Sequence, residues 1–118
     1  MEVVGIIKPG YEARAYQEIN RLIDEGEGIL ETCSLDQFST DGGPESRRNT
    51  IEQWLAKAEN QVSALLVDAE DARLLCPALL SEQIEALSPQ PPSHAQLRNA
   101  FVGFIQERLQ LLNTMIGR

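Results

Sequence analysis

The sequence predicts an all-α protein: a helical bundle of three long helices and one short helix, with a short extended arm at the N-terminus. Three observations point there. Apolar residues recur at helical spacing over most of the 118 residues, polar or proline-rich stretches separate those runs, and only one run, Met1 to Ile7, looks like a strand. The length suits a single domain over residues 1–118, and no internal repeat divides it.

Residues 1–9 read as the arm: the Val- and Ile-rich stretch ends at Pro9-Gly10, and no second such run exists to pair with it. The arm is expected to dock on the bundle or on a partner. From Tyr11 to Cys33, the residues Tyr16, Ile19, Leu22, Ile23, Gly26, Ile29, Leu30 and Cys33 form one stripe, with Glu18, Asp24, Glu25, Glu27 and Glu31 opposite. Gly26 and Gly28 each weaken this helix by about 1 kcal/mol relative to Ala. Because Gly26 lies on the apolar stripe, close approach of another helix is the expected compensation.

Residues 34–49 collect Ser39, Asp41, Gly42, Gly43, Pro44 and Ser46 without periodicity and read as a flexible loop. Thr50 and Gln53 have capping-box spacing, which opens a second helix with Ile51, Trp54, Leu55, Ala58, Val62, Leu65, Leu66, Ala69 and Ala72 on one stripe. Pro77 ends or kinks it near Cys76. A shorter helix over Ala78 to Leu87 carries Leu79, Leu80, Ile84 and Leu87. A Pro-rich connection over residues 88–93 follows, and Ser93 with Gln96 again fits a capping box.

The last helix, His94 to Arg118, is apolar over about half its circumference. Leu97, Phe101, Val102, Phe104, Ile105, Leu109, Leu111, Leu112, Met115 and Ile116 fill an arc wider than one neighbouring helix requires. Such a helix is central to a bundle, or it meets another chain. The second alternative makes Leu97, Phe101, Phe104, Ile105, Leu109, Leu112 and Ile116 the expected protein interface.

Charge narrows the function classes. The formal net charge is −8, unevenly spread: residues 1–44 hold nine acidic and three basic side chains, whereas residues 91–118 hold one and three. Clustered Lys and Arg, which phosphate neutralisation needs, are missing, so nucleic acid is not an expected partner. The asymmetry makes the first and last helices electrostatically complementary. No apolar run approaches the roughly 20 residues that cross a bilayer, and the start of the chain has no basic region leading into an apolar stretch. No membrane association is expected. Cys33 and Cys76 form no Cys-x-x-Cys pair and fit buried thiols of a reducing cytoplasm, the expected location.

Catalytic constellations are sparse. His94 is the single histidine; it opens the last helix with neither cysteine near it in sequence, which disfavours a zinc site. A helical-bundle ribonuclease of the HEPN type would need an Arg a few residues upstream, where Pro89-Gln-Pro-Pro-Ser93 stands instead. Gly42-Gly43 precedes Pro44 without the Lys of a phosphate loop, and no Gly-x-Ser-x-Gly elbow occurs. Trp54 reads as a core anchor, Tyr11 and Tyr16 as a cap of the bundle near the arm, and Arg47-Arg48 as a solvated basic pair. Asp68 with Asp71, and Glu82 with Glu85, have the i, i+3 spacing of all-α nucleotide pyrophosphohydrolases that hold Mg2+; near the Pro77 break they read as solvated.

Three phrases carry a family resemblance: Glu18-Ile-Asn-Arg-Leu-Ile-Asp-Glu-Gly-Glu-Gly-Ile-Leu30, Ile51-Glu-Gln-Trp-Leu-Ala-Lys-Ala-Glu-Asn-Gln-Val62, and the Leu-rich last helix. Together they resemble the helical accessory modules of bacterial antiphage-defence proteins, including some with TIR-like effector domains. The resemblance implies an accessory or assembly role and brings no catalytic residues.

The leading expectation is a non-enzymatic helical adapter or assembly subunit. It works without cofactor, metal or small-molecule substrate and associates with a protein partner or with its own copies. An acidic inhibitor or antitoxin-like protein covering a basic surface is one alternative. A Mg-dependent nucleotide pyrophosphohydrolase using Asp68, Asp71, Glu82 and Glu85 is the other.

Overall fold

The computed structural model describes residues 6–33, 43–88 and 90–117. The chain is all-α. Helix α1 spans Glu12–Thr32, α2 Gly43–Leu65, α3 Ala78–Glu85 and α4 His94–Met115. A 3-10 helix over Ala69–Leu75 adds an element that the expected three long helices and one short one did not include.

The expected bounds of α1 hold to within a residue, with Tyr11 and Cys33 flanking it. Ala15, Ile19, Leu22, Ile23 and Gly26 form its buried face. At Gly26 the expected close approach is present: a Cβ there would stand 2.6 Å from Trp54 Cζ2 and 2.7 Å from Leu109 Cδ2. The Trp54 indole N–H donates to the Leu22 carbonyl at 3.0 Å, one turn before Gly26. The three long helices therefore meet at one hydrogen in place of a side chain.

Helix α2 departs from its expected bounds at both ends. It begins at Gly43, so residues 43–49 are helical and the expected loop is corrected there; residues 34–42 lie outside the described residues. Gly43, at φ +68°, turns the chain in a way glycine tolerates, and Pro44 suits a first turn because its missing N–H would have had no helical partner. Thr50 is internal rather than a cap, its hydroxyl donating back to the Ser46 carbonyl at 3.0 Å.

The other end stops at Leu65, well short of Cys76. Tertiary contact explains it. The arm bonds there instead, with Lys8 N–H donating to the Leu65 carbonyl at 2.9 Å and Val67 N–H to the Ile6 carbonyl at 2.8 Å. Ile7 and Leu66 form an isolated antiparallel bridge, so the strand-like run does find a pairing partner. The Asp68 carboxylate then accepts from Glu70 N–H at 3.0 Å and starts the 3-10 helix.

This break gives the chain its topology. The start of α1, the end of α2 and the end of α4 gather at the arm end, where Ile7, Ala15, Tyr16, Met115 and Ile116 line one groove. At the opposite end, Arg47 Nε donates to the Thr32 carbonyl at 3.0 Å and ties α1's last turn to α2's first. Helices α2 and α4 thus run the same way, and the chain between them must return along the bundle. The 3-10 helix and α3 make that return, held by Arg108 Nε to the Leu74 carbonyl at 2.9 Å and by Arg48 Nη2 to Ser81 Oγ at 2.8 Å.

Helix α3 ends at Glu85, two residues before the expected Leu87. The Gln90 side chain caps it, donating to the carbonyls of Ile84, Glu85 and Leu87 at 3.1, 3.3 and 2.6 Å. The expected box opening α4 is complete: Ser93 N–H donates to Gln96 Oε1 at 2.9 Å and Gln96 N–H to Ser93 Oγ at 3.2 Å.

Candidate association surface

The seven residues expected to face another chain mostly face this one. Phe101, Phe104, Ile105 and Leu112 are at most 1% exposed and Leu109 is 8% exposed, all within the core. Leu97 and Ile116 are half-buried against it. The expected interface is corrected accordingly: α4 packs against α1, α2 and α3, and Arg108 fastens the 3-10 helix beside it. The apolar arc is broad because several neighbours of the same chain share it, which is the first of the two alternatives its width left open.

The acidic pairs are not brought together. Asp68 caps the 3-10 helix, and among the described residues no three His, Cys, Asp or Glu side chains lie where they could hold a metal ion. His94 is exposed at the start of α4. Arg47, expected in a solvated loop, is buried and bonds the end of α1. Arg48 pairs with Glu52 at 3.2 Å. Among the described residues no helix is long and apolar enough to cross a membrane.

Among the described residues, two titratable groups, Arg108 and Cys33, are shifted. Burial lowers the pKa of Arg108, while Glu107, 3.0 Å away, acts to raise it. Burial pushes the Cys33 thiol up from its ordinary 9.0, opposed by a hydrogen bond with Thr32 and by the charges of Arg47 and Arg98. Above pH 9 the unfolded chain therefore loses this proton before the folded one does, so the thiol's contribution to stability falls as pH rises. The stability gap between the native protein and Cys33→Ala should narrow between pH 7 and pH 10 in urea titrations. A gap that stays constant or widens would contradict this assignment. Both thiols are free.

Among the described residues the large exposed apolar side chains are Ile6 at 58%, Val67 at 59%, Tyr16 at 53%, Leu74 at 47% and Tyr11 at 38%, and all but Leu74 lie at the arm end. With Ile7 opposite Leu66, the antiparallel register sets Ile6 opposite Val67, so two β-branched side chains stand together in solvent. At the same end of the molecule, on the side of the arm that Ile7 faces, lies a groove of about 240 Å³ lined by Ile7, Glu12, Ala15, Tyr16, Met115 and Ile116. Tyr11 opens α1 between two cations, Lys8 Nζ at 5.7 Å and the Arg14 guanidinium at 5.8 Å from its ring centre. The tyrosines therefore sit at the arm end, as expected of a cap there, although Tyr16, expected on the apolar stripe of α1, is 53% exposed. The Ile6 and Val67 pair was not singled out from sequence; the β-branched run of the arm was its one visible sign.

One residue of the arm leaves its main-chain groups unbonded. In a bridge bonded through the residues on either side, the central residue directs its own N–H and C=O away from the partner segment. Ile7 is that residue, and among the described residues neither group has a hydrogen-bond partner. Comparison of the chain with protein-family models, with curated proteins and with solved structures gives no match.

Proposed function

We propose that the chain is a non-enzymatic helical adapter or assembly subunit that associates with protein through its arm end. The observation that carries the reading is the pairing of Ile6 and Val67, each more than half exposed, at the same end of the molecule as the groove that Tyr16, Met115 and Ile116 line. Contiguous exposed apolar side chains on an otherwise acidic surface mark a site that gains free energy when covered by protein. The compact all-α frame with its three meeting long helices acts as the rigid carrier of that end. Location in the cytoplasm belongs to the same reading, as does a place in a bacterial defence complex whose effector is a separate subunit.

Ile6→Lys combined with Val67→Lys tests it. Both side chains lie outside the core, so helical circular dichroism should be retained. Association, measured by light scattering of the purified chain or by recovery of a co-purifying host protein, should weaken at least tenfold. Equal association by the variant would refute the reading. Raising salt to about 0.5 M, where the Debye length is only a few ångströms, should leave apolar docking largely intact; steep loss would favour the acidic-inhibitor alternative.

A further inference from the structure

We infer that the arm end is a self-association site, in which Ile7 pairs with Ile7 of a second copy of this chain across a twofold axis. The inference rests on the association reading and names the partner.

The open edge selects the geometry. Opposed residues of a hydrogen-bonded antiparallel pair exchange both of their bonds. A residue whose N–H and C=O both lack a partner among the described residues, as in Ile7, is therefore complementary to itself, and the resulting contact is closed and isologous. The edge does not suit a longer added strand. The next residue on this side is Pro9, which has no N–H to donate, so the ladder ends after one residue pair in that direction. Short symmetrical pairing uses what the arm offers.

Side chains and charge agree with it. Ile7 packs against the core, which sends Ile6 and Lys8 to the solvent side of the arm. Twofold pairing then sets Ile6 of each copy beside Lys8 of the other, whose aliphatic stem can lie along the exposed Ile6 side chain. Like-charge repulsion is not focused here despite the net charge of −8. Lys8 and Glu12 offset each other, and Arg14 bonds Glu18 at 3.2 Å. The contact is small, and interfaces well below about 1,200 Å² belong to weak, transient association.

Sedimentation equilibrium of the full chain over a hundredfold concentration range, with amide NMR at both extremes, tests it. The expected result is a monomer–dimer equilibrium in which the Ile7 amide resonance shifts with concentration, and Ile6→Lys should raise the dissociation constant at least tenfold. A monomer at every concentration overturns the inference. So does a dimer that Ile6→Lys leaves unchanged with a stationary Ile7 resonance. The wider association reading fails separately, only if Ile6→Lys with Val67→Lys also leaves every other protein contact intact.

Discussion

Phe104→Ala should lower the free energy of unfolding by about 3–5 kcal/mol, the range found for removing a buried aromatic ring. Phe104 is 1% exposed, and its ring lies under the Arg108 guanidinium, with 3.9 Å between the charge centre and the ring centre. The same guanidinium holds the Leu74 carbonyl. Truncation therefore opens a cavity in the core and removes the platform that steers Arg108 toward the returning chain. Urea denaturation followed by circular dichroism measures the loss, and amide exchange should show the 3-10 helix deprotected more than α1. A loss below about 1 kcal/mol, within what a well-relaxed surface site gives, would contradict the placement of this ring.

Gly26→Ala and Gly28→Ala should act in opposite directions although both sit in α1. At position 26 a methyl group would meet Trp54 Cζ2 at 2.6 Å and Leu109 Cδ2 at 2.7 Å. Overpacking of this kind costs about 1–3 kcal/mol, and the gain in helix propensity, up to about 1 kcal/mol, recovers only part of it. The contact also shifts the indole, whose N–H is bonded to the Leu22 carbonyl. At position 28 nothing lies within 4 Å of an added Cβ, leaving the propensity term of about 0.5–1 kcal/mol as net stabilisation. Thermal midpoints of the two variants measured side by side decide it. Two shifts of the same sign would mean that α1 does not approach α2 and α4 as described.

How much was legible in the sequence follows from what each signal depends on. Helix α1 was readable because its stripe, its acidic outer face and the in-stripe glycine are local patterns, and Gly26 even announced a close neighbour. The Ser93 and Gln96 box was readable for the same reason, since both of its bonds lie within one turn. The ends of α2 were not. Gly43-Pro44 looks like a turn until the left-handed glycine and the first-turn proline are seen to start a helix, and the stop at Leu65 depends on the arm, far away in sequence.

The last helix shows a different limit. Its arc of apolar residues stated how much surface must be covered, but periodicity within one segment does not say whether the cover comes from the same chain. Helices α1, α2 and α3 of the same chain supply it, and α3 can do so because the break after Leu65 sends the chain back along the bundle. The association surface was hidden for a related reason. Ile6 and Val67 look like ordinary apolar residues until the bridge between Ile7 and Leu66 turns them outward together.

Trp54 is the single tryptophan of the chain, and it stands where α1, α2 and α4 converge, its indole bonded to Leu22 and its ring against Gly26. Its emission is consequently a native optical gauge of whether all three helices are seated at once. A folding species with one of them undocked would wet the ring and redden its fluorescence while most of the helical signal persisted, which allows partial assembly to be followed without an added label.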